Sequence, residues 1–407
     1  MALTPHRDRT MGFFDKITMA ADDPILSLNT SFAKDVRSSK VNLGVGAYKT
    51  SDLQPMVLST IKKAENIIAS SDHNHEYLPI DGDKEFLRLI SELIFGDDSE
   101  VLASGRLYSA QTVGGTGALR IGADFLTQEI GNSLYLSDPS WANHKPLFTR
   151  SGQQVEFYPY YDRKTHALDF SGMCAAIKKM PEGSTILLHA CCHNPTGMDP
   201  KIEEWKEISS LIKEGGLVPF FDFAYQGFGN GLLEDAEVIR QFARDGHEML
   251  ISYSCSKNFG LYGERVGAFF VLTGERMLAE KVQSRVKTIV RANYSSPPSY
   301  GAKLVKTILN SDSLTQEWQR ELQNMRERIS EMRKSFASGL LAKTQQYDFS
   351  FMHKQKGMFS FSGLEKDHVD RLIAEYGIYM PGSGRINVAG LSSSNLEYVV
   401  DAVVSVI

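Results

Sequence analysis

Lys257 stands among small hydroxyl residues in the run SCSKNFGLYGERVG, residues 254–267, and Arg265 follows eight positions later. Once deprotonated, a lysine amine is a nucleophile able to form a Schiff base with an aldehyde cofactor, and nearby cations and partial burial favour loss of its proton. Ser254, Ser256 and Arg265 bring the hydroxyl and guanidinium groups that grip a phosphate. A lone Ser-Lys pair would read as a polar surface turn, but the fourteen-residue pattern outweighs that reading.

Two further stretches carry chemistry. In DFAYQGF, residues 222–228, Asp222 closes an apolar run and Tyr225 follows three positions on. A buried carboxylate there can keep a pyridine nitrogen protonated, so that the ring acts as an electron sink. Taken alone, Asp222 reads equally well as a helix cap and Tyr225 as a core aromatic. In VGGTGAL, residues 113–119, a glycine-rich turn leads into a predicted helix, which suits phosphate held on backbone amides. Its spacing is not GxGxxG, so it makes a poor dinucleotide fingerprint. The cysteines, Cys174, Cys191, Cys192 and Cys255, include an adjacent pair that fits neither a CxxC metal site nor a disulfide framework; no metal is expected.

These residues need elements to position them. The apolar runs RLYSAQTV, SLYLSD, TILLHACC, LVPFFDFA, EMLISYS and VGAFFVL recur between residues 105 and 275. Their continuous rather than alternating pattern predicts strands buried on both faces of a mostly parallel α/β sheet, whose ligands bind beyond the carboxyl ends of the strands. The polar or glycine-rich stretches GGTGAL, PSWANH, HNPTG, DFAYQGF and SKNFG each follow such a run, which gathers the chemistry at one edge. Leu314, Trp318, Leu322, Met325, Ile329, Met332, Phe336 and Leu340 recur at helical spacing and predict one long amphipathic helix. The strand-like FSFSGL and GRINVAGL and the closing helix SNLEYVVDAVVSV complete a smaller α+β domain. The expected division is residues 1–47 as N-terminal arm and part of the small domain, 48–312 as the large domain, and 313–407 as interdomain helix and small domain.

Bulk properties narrow the function. With 407 residues, 42% hydrophobic and 23% charged, the chain can bury a large core, and a net charge of −5 gives no electrostatic case for nucleic acid. No apolar run is long enough to span a bilayer and MALTPHRDRT lacks the apolar core of a secretion signal, so no membrane partner is expected and a reducing, cytoplasmic location is. On that reading the triplets Asn29-Thr30-Ser31 and Asn293-Tyr294-Ser295 are chance matches to a glycosylation pattern. The first ten residues read as a flexible start or an addition before Met11.

The motifs NLGVGAY, YLPIDG, GGTGAL, PSWANH, CCHNPTG, DFAYQGF, SKNFGLYGERVG, RANYSSPP, GMFSFSGL and GRINVAG occur in this order over residues 42–390, and DPIL extends them to residue 23. Jointly they resemble the aspartate and aromatic branch of the class I aminotransferases. The resemblance implies pyridoxal 5′-phosphate as cofactor, amino acids and 2-oxo acids as substrates, and a fold type I homodimer with shared active sites. By the same resemblance Lys257 is the Schiff base lysine and proton shuttle, and Asp222 the partner of the pyridinium nitrogen, with His144 and His189 behind it. Trp141 matches the indole stacked on the ring, and Asn194 and Tyr225 the partners of its phenolic oxygen. The phosphate cup maps to Gly115, Thr116, Ser254, Ser256 and Arg265, with Tyr77 supplied by the neighbouring subunit. Arg385 matches the clamp on the α-carboxylate, aided by Asn194 and the backbone of Gly46, and Arg291 matches the arginine that crosses the dimer interface to the side-chain carboxylate. Gly114 departs from the serine of many members, so one hydroxyl contact to phosphate is expected to be missing.

The aspartate reaction with 2-oxoglutarate fits this set best; an aromatic or other amino donor is the nearest rival. A nicotinamide dehydrogenase would leave Lys257, Asp222 and the two arginines unexplained, and a pseudoenzyme would have lost Lys257 or Asp222.

Overall fold

The central feature is a seven-stranded sheet, which the computed structural model places within its described residues, 12–20, 24–71 and 75–407. Residues 1–11, 21–23 and 72–74 lie outside that set, and with them the expectations placed on the first ten residues and on Asp23 of the DPIL run. Six of the strands are the six apolar runs: β1 (Leu107–Val113), β2 (Ser133–Asp138), β4 (Thr185–His189), β5 (Val218–Phe223), β6 (Met249–Ser254) and β7 (Val266–Leu272). The seventh, β3 (Gln154–Pro159), was not legible as a strand, since it is an edge whose side chains are mostly exposed and carry no apolar run. The spatial order is β1-β7-β6-β5-β4-β2-β3, with β7 antiparallel to both its neighbours and the other pairings parallel.

β4, β6 and β7 are buried at every position, which is why their sequences show no alternation. Helix α1 (Gly114–Phe125) leaves β1 directly and lies so close to the sheet that a Cβ on Gly122 would fall 2.5 Å from the ring of Phe220 and 2.9 Å from that of Phe269. Only a glycine allows that approach.

Helix α2 (Arg276–Asn293) follows β7, and the long helix α3 (Asp312–Lys343) carries most of the apolar stripe read from the sequence. The Ser311 side chain caps its first turn by accepting from the Leu314 amide. One position differs: Met332 is only partly buried, and Arg333 takes the fully buried place beside it. Strands β8 (Phe359–Phe361) and β9 (Arg385–Asn387) pair antiparallel, and residues Val41–Asn42 pair in parallel with Ile378–Tyr379, so the N-terminal segment does join the C-terminal part of the chain.

Candidate active site

The sheet brings its chemistry to one edge by register. Asp222 sits one residue from the end of β5, opposite His189 of β4 and Ser252 of β6. Ser254 ends β6 and Ser256 and Lys257 follow at once; Gly114–Thr116 leave the end of β1; Trp141 follows β2 and Asn194 follows β4. Because β7 runs antiparallel, its start is at the same edge: Val266 pairs with Val113, which sets Arg265 beside the glycine turn. The Gly114 amide donates to the Arg265 carbonyl at 3.0 Å.

A cavity of about 200 Å³ opens there, walled by Gly46, Gly115, Thr116, Trp141, Asn194, Asp222, Tyr225, Ser254, Ser256, Lys257, Arg265 and Arg385. These are all but two of the expected site residues. The exceptions are Tyr77, whose side chain is exposed, and Arg291, also exposed and bonded to Ser295 Oγ. Neither reaches this cavity from within its own chain. Leu119, Ala224 and Phe359 also line the cavity and were not singled out in the sequence, although Ala224 lies in DFAYQGF and Phe359 in GMFSFSGL.

Electrostatics at the base of the cavity follow from burial and contact. For Asp222 burial alone would raise the carboxyl pKa, but the 3.1 Å hydrogen bond to His144 Nε2, helped by the nearby Lys257 ammonium, turns the net shift downward. His144 is held in turn by Ser140 Oγ at 2.8 Å from its Nδ1. Burial pushes His189 down to about 3, so the imidazole behind Asp222 is neutral. Burial lowers the Lys257 amine to about 8; Asp222 opposes that shift and Arg265 and Arg385 add to it. Burial lowers Arg385 to about 10, which leaves it charged at neutral pH.

Several polar atoms at and behind the cavity wall are unspent. Asn194 Oδ1, Arg385 Nε and His189 Nε2 are buried without a hydrogen-bond partner among the described residues. Buried polar atoms left in this way are costly unless a ligand completes them. Beside the glycine turn, a Cβ on Gly115 would lie 2.9 Å from that of Ser254, so this part of the cavity is built to the width of bare backbone. Gly114 has φ +68°, and a Cβ there would lie 2.7 Å from Arg265 Nη2; the place expected to lack a serine hydroxyl therefore has a guanidinium beside it. The lining fits a phosphate-bearing aromatic aldehyde: hydroxyls and the Arg265 guanidinium suited to a phosphate, the Trp141 indole suited to a ring, and an amine and a carboxylate, Lys257 and Asp222, suited to the aldehyde and a ring nitrogen.

Residues 38–403 match the family described as aminotransferase class I and II. The chain belongs to the class I and II aminotransferases. The aspartate aminotransferase of Salmonella typhi is 47% identical over 97% of this chain and 100% of its own length. An aromatic-amino-acid aminotransferase of Burkholderia pseudomallei, solved covalently bound to pyridoxal phosphate, superposes with a TM-score of 0.95 at 44% identity, over 97% of this chain and 100% of that one. A psychrophilic aromatic amino acid aminotransferase of Psychrobacter, cocrystallised with aspartic acid, gives 0.95 at 41%, over 97% and 99%. This aminotransferase thus has the α/β, fold type I architecture expected of it, and among its described residues no helix is long and apolar enough to cross a membrane.

Proposed function

We propose that this aminotransferase moves the amino group of L-aspartate to 2-oxoglutarate, giving oxaloacetate and L-glutamate, in two half-reactions in which the first product leaves before the second substrate binds. The cofactor is pyridoxal 5′-phosphate, which when bound supplies a protonated ring that draws electrons from the substrate's α-carbon. The observation that carries the reading is the convergence of Lys257, Asp222, Trp141, Asn194 and Arg385 on one cavity with Ser254, Ser256 and Arg265. Asp222, held ionised by His144, would pair with the ring nitrogen. Trp141 would stack on the ring, Asn194 and Tyr225 would bond its phenolic oxygen, and Gly115, Thr116, Ser254, Ser256 and Arg265 would hold the phosphate.

Arg385 binds the substrate α-carboxylate with Asn194 and the Gly46 backbone, and its Nη2 already donates to the Gly44 carbonyl at 2.7 Å. The Lys257 amine, its pKa lowered to about 8 so that a minority of it is neutral at physiological pH, would take the proton from the substrate's α-carbon and hold it for return. Tyr77 and Arg291 are exposed here because they serve the site of a second subunit in a homodimer: Tyr77 at the phosphate, Arg291 at the side-chain carboxylate. The division into residues 1–47 as arm and part of the small domain, 48–312 as cofactor domain and 313–407 as interdomain helix and small domain is supported, for the described residues, by the pairing of Val41–Asn42 with Ile378–Tyr379; residues 1–11, 21–23 and 72–74 lie outside them. A cytoplasmic location is consistent with four buried free cysteines.

An absorbance spectrum tests this directly. The purified protein with pyridoxal phosphate has a visible band that aspartate or glutamate bleaches and 2-oxoglutarate restores. A protein that stays colourless and inactive in excess cofactor would rule the reading out. A band bleached faster by phenylalanine or tyrosine than by aspartate would keep the transaminase and transfer the assignment to an aromatic donor.

A further inference from the structure

Arg333 occupies a fully buried position on α3, between Ile329 and Phe336 of the apolar stripe, and is 4% exposed. Burial pushes its guanidinium down to about 10, with only the Cys192 thiol acting the other way, so it is charged and joins no ion pair with a carboxylate among the described residues. Taking a cation out of water without an anion is unfavourable, and an apolar side chain of similar volume would pack α3 against its neighbours at least as well. What an arginine offers instead is a rigid fork of donors. Its Nε donates to Ser360 Oγ at 2.9 Å, and its Nη2 donates to the Gly357 carbonyl and, at 3.5 Å, to that of Phe359.

All three acceptors lie in residues 357–360, where the chain enters β8. Phe359, in the middle of that stretch, turns its ring into the cavity. The ring meets Tyr225 edge-on at 6.0 Å, and the Arg385 guanidinium lies 4.3 Å from its centroid. A Cβ on Gly46 would come within 3.3 Å of the same ring. The stretch is pressed from the other side as well: the Lys356 amide donates to the Gly197 carbonyl at 2.6 Å, and a Cβ on Gly357 would fall 2.4 Å from that of Cys192.

We propose that Arg333 is a positioning residue for carboxylate recognition: by gripping residues 357–360 it fixes the Phe359 ring as the surface on which the Arg385 guanidinium lies. The inference rests on Arg385 being the α-carboxylate clamp. Arg385 has its Nε unpartnered and one Nη committed to Gly44, so its aim is set largely by the Phe359 ring and by β9. A shift of that ring misdirects the clamp without touching Lys257, Asp222 or the phosphate cup.

The test compares Arg333→Lys, which keeps the charge but loses the fork, and Arg333→Met, which removes both, with wild type on two donors. Aspartate and alanine share the α-carboxylate and differ in the second one. Both variants should raise KM for both donors by the same factor, about tenfold, the scale of one hydrogen bond to a charged group. The visible cofactor band per subunit should be unchanged and kcat should fall much less than KM rises. An unchanged KM, or losses of kcat and cofactor band with KM unmoved, would make Arg333 a packing residue and overturn the proposal. If neither variant folds, Ser360→Ala removes one acceptor alone and should raise both KM values by about threefold; unchanged values overturn the proposal equally. Arg385→Ala separates the two readings. If it leaves both KM values unmoved, the clamp assignment fails; if it raises them while the Arg333 and Ser360 variants do not, only the role of Arg333 fails.

Discussion

Lys257 carries its amine into the cavity already biased toward the neutral form, because burial and the positive charges of Arg265 and Arg385 outweigh the attraction of Asp222. The neutral amine is the nucleophile, so the sign of the pH effect is fixed. With a pKa lowered from 10.5 to about 8, the rate at which the cofactor-free protein captures pyridoxal phosphate should rise with pH, be half-maximal near 8 and level off well below 10.5. Stopped-flow absorbance across pH 6 to about 11 measures this. A rate still climbing near 10.5 would mean that the amine is solvated and the burial account is wrong. Asp222 runs the opposite way: its pKa is lowered, so it stays ionised throughout that window and contributes no inflection. Substituting Lys257 should abolish turnover, because among the described residues no second amine lines the cavity to replace it.

At the level of elements, the loop that bears Lys257 is braced by α3. The Trp318 ring stacks on Phe259 with centroids 4.4 Å apart, and its Nε1 donates to the Asn258 carbonyl at 2.7 Å. Both partners follow Lys257 directly in the chain, so one buried side chain serves core packing and lysine placement together. Trp318→Ala should therefore destabilise the protein by about 3 to 5 kcal/mol and also lower kcat. Trp318→Phe keeps the ring, loses the donor and should cost less. Urea unfolding at fixed subunit concentration reads the first effect and steady-state rates the second. A loss under about 1 kcal/mol for the alanine variant would show that the loop is held by other contacts.

For the whole molecule, the exposed positions of Tyr77 and Arg291 make a single chain's cavity incomplete under the proposed mechanism. Two inactive variants test the shared site. Subunits carrying Lys257→Ala, mixed and exchanged with subunits carrying Arg291→Ala, should regain aspartate turnover in the hybrids, since one of the two sites then has both native residues. Exchange without recovery would place Arg291 outside the neighbouring site. Alone, Arg291→Ala should lower kcat/KM for aspartate by about a hundredfold, the cost of leaving one carboxylate of a desolvated pair without its arginine. Alanine, which lacks that carboxylate, should be little affected. An equal loss on both donors would make Arg291 structural.

The sequence by itself determined which residues could do the chemistry and on which edge they would meet. Continuous apolar runs that end in Asp222, Ser254 or VGGTGAL identify buried strands and the loops just beyond them, and both signals are local. The edge strand β3 escaped that logic, because a strand with one neighbour and exposed side chains needs no apolar run. Tertiary structure alone decided that β7 runs antiparallel and so delivers Arg265 to the glycine turn, that the Phe359 ring lies against the Arg385 guanidinium, and that a charged residue, Arg333, takes a buried place on α3. Each depends on partners distant in the chain: the register of Val266 against Val113, the pairing of β8 with β9, and the carbonyls of Gly357 and Phe359 held by a guanidinium on another element. Periodicity reports which face of an element is apolar; it carries no record of which distant backbone oxygen will meet that face, and that meeting is what makes a buried arginine tolerable.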